Sequence, residues 1–139
     1  MRQFSTSLSV HTNRQGFFEL TKDIRAWLLD TGIEDGLLTV FCRHTSASLT
    51  IQENADPDVL HDIGTFFKKL VPEDASLYTH TNEGADDMPA HIRSALTDVS
   101  LSIPVVAGKP VLGTWQGVFL VEHRARDHQR TVVLHIIGE

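Results

Sequence analysis

The sequence predicts an α+β fold in which antiparallel sheet dominates the C-terminal part. Three observations carry this. Phe4–His11 alternates in side-chain character, two later stretches repeat apolar residues at helical spacing, and the last third is rich in β-formers broken by polar turns.

The elements follow in order. Phe4, Thr6, Leu8 and Val10 share one face of a first strand, with Ser5, Ser7, Ser9 and His11 on the other. Asn13–Gly16 reads as a turn. Phe18–Leu29 places Leu20, Ile24, Trp27 and Leu28 on one helical face, and Thr31-Gly32 ends that helix. Leu37–Ile51 is the longest strand-like run and puts Cys42, His44, Ser46, Ser48 and Thr50 on one polar face. Asp56-Pro57 is an N-cap followed by proline at the first helical position. The helix carries Val59, Ile63, Phe66, Phe67 and Leu70 at core spacing and stops at Val71-Pro72. Leu77–His80 is a short strand candidate and Asn82–Asp87 a polar loop. A short helix opens near Pro89 and reaches about Thr97. Ser100–Val106, Val111–Glu122 and Arg130–Ile137 are the last strands, with Gly113 and Gly117 as bend or bulge positions.

A chain of 139 residues, 41% hydrophobic and 22% charged, is read as one globular domain over 1–139. Its formal net charge of -6, without a basic stripe, argues against nucleic acid as a partner. No apolar run approaches the roughly 20 residues that span a bilayer, so no membrane partner is expected. The single cysteine, Cys42, cannot form an internal disulfide, and the N-terminus lacks the apolar core of a signal peptide. The expected location is cytoplasmic.

Three segments concentrate chemistry. In the first, the Leu37–Ile51 run presents His44 and Ser46, and the following turn and helix start present Glu53, Asn54, Asp56 and Asp58. Helix N-termini attract carboxylates, so Asp56 also reads as a plain cap. In the second, His80 precedes Glu83-Gly84-Ala85-Asp86-Asp87, and His91 follows. If the helix starts by Asp87, then Asp87 and His91 sit four apart on one face, which suits a metal ligand pair or a carboxylate orienting an imidazole. Mixed imidazole and carboxylate donors admit Zn²⁺, and carboxylates alone suit Mg²⁺. A divalent metal is therefore the cofactor considered, although the spacing matches no H-E-x-x-H signature. In the third, Gly113-Thr114-Trp115-Gln116-Gly117 allows close backbone approach, with Trp115 either stacking on a ring or filling core. Glu122 and Arg130 flank a turn and read as a hairpin ion pair of little weight. Cys42 shares the predicted face of His44, so a Cys–His nucleophile and a buried structural thiol are both open. No phosphate-binding glycine loop and no G-x-S-x-G elbow is present.

The stretches HTSASLTIQENADPDV (44–59), DDMPAHIRSAL (86–96) and LSIPVVAGKPVLGTWQGVFLVEHR (101–124) resemble the YjbQ-type proteins, also called the secondary thiamine-phosphate synthase family. The resemblance covers nearly the whole chain in the same order. It implies an α+β fold with a mixed, largely antiparallel β-sheet, a barrel-like sandwich with about three helices, assembling as a homotrimer with sites near subunit boundaries. Residue by residue it points to His44, Glu53, Asn54, Asp56, Asp58, Asp87, His91, Thr114, Trp115 and Gln116. The turn after GTWQ departs from the family's acidic-Gly-Pro-Arg pattern, being Glu122-His123-Arg124-Ala125-Arg126-Asp127-His128 here. Roles in the turn itself are thereby weakened, while Glu122 and Arg130 stay in the set.

The resemblance implies an enzyme joining a hydroxymethylpyrimidine diphosphate to a thiazole phosphate, as a main or a secondary activity. His44, His91 and Asp87 serve as catalytic and metal-binding residues. Ser46, Glu53, Asn54, Asp56, Asp58, Thr114, Trp115, Gln116, Glu122 and Arg130 serve as substrate contacts. Arg43, Arg126 or Arg130 would meet the phosphate of a small phosphorylated substrate. The alternatives are a metal-assisted hydrolase and a non-catalytic ligand-binding trimer.

Overall fold

The computed structural model describes residues 1–139. Eight strands and three helices follow one another as β1 (Arg2–Thr12), β2 (Gly16–Glu19), α1 (Thr21–Thr31), β3 (Gly36–Cys42), β4 (Ala47–Glu53), α2 (Pro57–Leu70), α3 (Asp87–Leu96), β5 (Ser100–Val106), β6 (Lys109–Pro110), β7 (Gln116–Glu122) and β8 (His128–Gly138). They form a five-stranded sheet ordered β1-β8-β3-β5-β6 and a three-stranded sheet ordered β2-β7-β4. The α+β class with three helices stands, and every ladder is antiparallel.

The core lies between the sheets and under α1. Leu38 and Val40 of β3, Ile103 and Val105 of β5, and Leu134 and Ile136 of β8 point inward from the large sheet. Leu49 and Leu120 meet them from the small one, and Ile24 and Leu28 of α1 close the end. Each such side chain contributes roughly 1.5–3 kcal/mol by leaving water.

Five sequence expectations change. The run Leu37–Ile51 is two strands in different sheets, because the chain turns a corner at residues 43–46. Backbone bonds from Leu49 N–H to Asp98 O (2.6 Å) and from Cys42 N–H to Val99 O (2.8 Å) brace that corner. The first helix begins at Thr21 rather than Phe18, since Phe17 and Phe18 pair with Val121 and Leu120 on β7. Leu77–His80 is a 3₁₀ turn running into coil, and β7 starts only at Gln116, leaving Gly113 in the preceding loop. The helix α2 is capped as expected, with Asp56 Oδ1 accepting from the Asp58 N–H at 2.9 Å, yet it buries no residue fully. Phe66 and Leu70 of its predicted core face are exposed, so only part of its apolar stripe meets the sheet.

Candidate functional site

Two chain segments bring three donors together. His80 lies in the coil before α3, while Asp87 and His91 occupy its first two turns, one above the other as the four-residue spacing requires. Their ligand atoms all lie within 4.8 Å of one another. Asp87 is only 2% exposed. Its Oδ1 accepts from Arg124 Nη1 at 2.6 Å. Its Oδ2 faces His80 Nε2 at 2.7 Å and His91 Nε2 at 3.2 Å. Burial alone would raise the Asp87 carboxyl. The hydrogen bond with His80 and the charge of Arg124 outweigh it and hold the group below the ordinary carboxylate value.

The His91 ring carries the most information. Its Nδ1 lies 2.9 Å from the Thr45 carbonyl oxygen, which only accepts, so Nδ1 bears a hydrogen. In a neutral ring Nε2 then offers a lone pair toward the carboxylate oxygen of Asp87. Two acceptors face each other there unless a proton or a cation lies between them. A backbone carbonyl behind one ring nitrogen and a free lone pair on the other is the usual outer-shell arrangement of a metal-binding histidine. The donor set of two imidazoles and one carboxylate suits Zn²⁺ or a similar transition ion better than Mg²⁺.

Arg124 locks the site from behind. Besides Asp87 it reaches Asp86 Oδ2 through Nε at 3.1 Å and the Glu83 carbonyl through Nη2 at 3.0 Å. Asp86 Oδ2 also accepts the Ala125 N–H at 2.9 Å. The loop before α3 is thus clamped to the turn after β7. The turn whose own roles the sequence discounts thus supplies Arg124, which holds the site. His80 and Arg124 complete the arrangement, and sequence spacing singles out neither as a donor or a lock.

A second polar set is buried beside the first. Arg130 grips Glu122 with two bonds, Nε to Oε1 at 2.7 Å and Nη2 to Oε2 at 2.6 Å. Glu122 also accepts from Thr12 Oγ1 and from the Arg124 N–H, and Arg130 reaches Ser46 Oγ at 3.0 Å. Burial would raise the Glu122 carboxyl, and the bonds from Arg130, Thr12 and the Arg124 N–H hold it down instead. The expected hairpin ion pair is therefore a buried, bidentate one, and Arg130 is engaged inside the protein rather than free for a phosphate.

His44 does not join the convergent donors. It sits at the corner after β3, not on a strand face, and its Nε2 accepts the Thr131 N–H at 2.8 Å. Burial, then the Arg130 charge, pushes its pKa below the ordinary value, so the ring is kept neutral. Within one chain the donors that converge are His80, Asp87 and His91, so His44 drops out of the set expected from His44, His91 and Asp87. Cys42 is buried with Sγ 3.5 Å from the Ala47 carbonyl, and burial pushes its thiol up, which favours the structural thiol over a nucleophile.

The remaining expected contacts gather elsewhere. On the antiparallel β4–β7 pair, Ala47 faces Glu122 and Glu53 faces Gln116. Six residue steps separate those ends, roughly 20 Å at ~3.3 Å per residue. At the far end Asn54 Nδ2 donates to Glu19 Oε2 at 2.9 Å, and Gln116 Oε1 accepts the Gly113 N–H at 2.8 Å. At Gly117 a Cβ would come within 2.7 Å of Glu19 Oε2 and 3.0 Å of Asn54, so a larger residue would push the Asn54–Glu19 bond aside. Asp56 and Asp58 occupy the exposed start of α2, and Thr114 is exposed. Trp115 is 62% exposed and is not a core residue. Ser46, Glu122 and Arg130 thus lie near His91, while Glu53, Asn54, Thr114, Trp115 and Gln116 lie at the opposite end of the strand pair.

With this geometry in view, similarity to known proteins is specific. The family described as UPF0047 protein YjbQ-like matches residues 6–139. The UPF0047 protein sll1880 of Synechocystis is 56% identical over 138 residues, 99% of this chain and 94% of its own. The UPF0047 protein YjbQ of Escherichia coli O157:H7 is 42% identical over 137 residues, 98% of this chain and 99% of its own. The crystal structure of a YjbQ/UPF0047 protein from Clostridium acetobutylicum superposes with a TM-score of 0.83 at 34% identity, covering 96% of this chain and 99% of that one. The strand order, the GTWQ loop and the Asp87–His91 helix thus sit in a chain that belongs to the YjbQ-like UPF0047 family.

Proposed function

We propose that this chain is a metal-dependent enzyme acting on a small phosphorylated molecule, with His80, Asp87 and His91 as metal donors. The observation that supports it most is the His91 ring, which faces an acceptor at both nitrogens. A divalent ion, when bound, would supply Lewis-acid polarisation of a phosphoryl oxygen. The protein's part is to hold the donors. Arg124 fixes Asp87, the Thr45 carbonyl fixes the His91 tautomer, and Asp86 ties the loop to the turn. Arg43 and Arg126 are the exposed guanidinium groups nearest these segments in the chain and take the role of phosphate contacts.

The family resemblance names one such reaction, the thiamine-phosphate synthase type. The bond from the pyrimidine methylene carbon to the diphosphate oxygen breaks, and its electron pair leaves with diphosphate. A new bond forms from that carbon to the thiazole nitrogen. Hydrolysis is the competing outcome, with water in the place of the thiazole. Zinc content of the purified chain, with turnover of hydroxymethylpyrimidine diphosphate in the presence and absence of thiazole phosphate, tests the reading. The expected result is about one metal per chain, activity lost on chelation and restored by metal, and neither metal nor activity in His91→Ala. Full activity after exhaustive chelation would overturn it.

A homotrimer belongs to the same proposal. Leu37 and Phe41 of β3 and Ile137 of β8 lie exposed on the outer face of the large sheet, which supports a partner there. Packing between copies would also give the GTWQ end of one subunit a route to the His91 end of another. Sedimentation at equilibrium tests it, and a monomer at micromolar concentration would count against it.

A further inference from the structure

The cavity between α2 and the β2–β7 edge includes none of the three converging donors and shares only Glu122 with the polar set beside them. Its volume is about 370 Å³, within the range of small-ligand pockets. Arg14, Lys68 and Arg93 line it, and the only acid among its lining residues is Glu122, already neutralised by Arg130 at 2.6 Å. In a chain of formal net charge -6, three cationic side chains gather here, with Glu73 at 3.9 Å from Arg93 offsetting them in part.

Arg93 is the informative residue. It is 3% exposed, and its Nε–H has no hydrogen-bond partner. Nη2 donates to the Val71 carbonyl at 2.8 Å, while Nη1 lies 3.9 Å from Glu73, too far for a direct bond. A buried guanidinium with an unmatched donor is costly unless something completes it. Arg14 is prepared as well. Its guanidinium stacks 4.6 Å from the Phe18 ring centroid and lies over Gly16, whose missing side chain leaves it room. Phe17 and Phe67 add apolar wall.

Arg93 stands two residues beyond His91 on α3, about 200° around the helix, so the two face opposite ways. We infer that this cavity is a second ligand site for a small organic monophosphate, its phosphate held by Arg14, Lys68 and Arg93 and its apolar part against Phe17 and Phe67. The inference goes beyond the proposed metal chemistry and does not depend on it. Lys68 also offsets the C-terminal dipole of α2, but that role needs no cavity and no Arg93 behind it.

The test titrates phenyl phosphate into the full-length chain, followed by calorimetry and by backbone amide NMR. Arg14 and Lys68 are exposed, so Arg14→Gln/Lys68→Gln keeps the fold where an Arg93 change would endanger it. The expected result is saturable binding, with amide shifts at residues 14–17 and 61–68. Affinity should fall about tenfold or more in the double variant, and should be unchanged in His91→Ala. No binding at millimolar phenyl phosphate overturns the inference. So does binding that survives Arg14→Gln/Lys68→Gln and disappears in His91→Ala, which would put the phosphate at the metal donors instead.

Discussion

Arg124 bonds one oxygen of Asp87, Oδ1 at 2.6 Å, and leaves Oδ2 to the two imidazoles. The carboxylate is thereby turned to a fixed angle, with its second oxygen committed to the donor cluster. Outer-shell groups of this kind set ligand orientation as much as charge.

Replacing Arg124 by lysine keeps the charge and loses the planar fork that spans Asp86 and Asp87. The expected outcome is about 10–100-fold weaker zinc affinity with the fold retained. Competition with a chromogenic chelator measures it. Unchanged affinity in Arg124→Lys would show that Asp87 needs no such lock.

The buried Glu122–Arg130 pair predicts a large asymmetry. Glu122→Gln leaves the Arg130 charge poorly compensated and should cost about 3–5 kcal/mol in urea unfolding. Adding Arg130→Met should recover more than half of that loss, because the stranded charge is gone. A double variant no more stable than Glu122→Gln alone would contradict this account.

His123 predicts how stability responds to acid. The ring is buried against Ser48, with Nε2 2.8 Å from Ser48 Oγ, and Phe67 packs on it edge-on. Burial, then the Arg93 charge, pushes its pKa from the ordinary 6.5 down to about 4; Glu122 opposes the shift, and Arg130 adds a smaller push downward. Protonation is therefore easier in the unfolded chain. The contribution of the neutral ring is complete above the unfolded value of 6.5 and is lost as pH falls toward 4. It amounts to about 3 kcal/mol. Urea unfolding across that window should show the loss in the parent chain and a shallower slope in His123→Gln. Equal slopes would remove His123 as the cause.

Trp115 separates binding from folding. With most of its ring in solvent, Trp115→Ala should change stability by less than ~0.5 kcal/mol. If the GTWQ loop forms a wall of the substrate site, the same variant should raise the KM for hydroxymethylpyrimidine diphosphate several-fold. An unchanged KM would take Trp115 out of the site.

Local features of the sequence were legible and distant ones were not. The Asp87–His91 pair was readable because helical spacing is a property of consecutive residues, and the Asp56 cap for the same reason. The corner at residues 43–46 was hidden. It contains no glycine or proline, and polar residues continue the alternation straight through it. His80 reaches Asp87 across a loop in which Gly84 adopts φ 105, and no periodicity reports such a return. Arg124 meets Asp87 from 37 residues away, a contact that only the assembled sheet creates. The division of the expected contacts between two ends of β4 and β7 was equally invisible, since each motif was read on its own segment.

That division also governs which changes of chain length the protein tolerates. The gap between the Ser46 end and the Gln116 end is set by paired backbone, not by side chains. Inserting or deleting one residue within β4 would turn Ser48 away from His123 and Leu49 out of the core in the same stroke. Two residues would keep the faces and shift the two polar groups apart by about 7 Å. Length variation between relatives should therefore leave both strands at a constant count and avoid the loop and turn that Arg124 ties together.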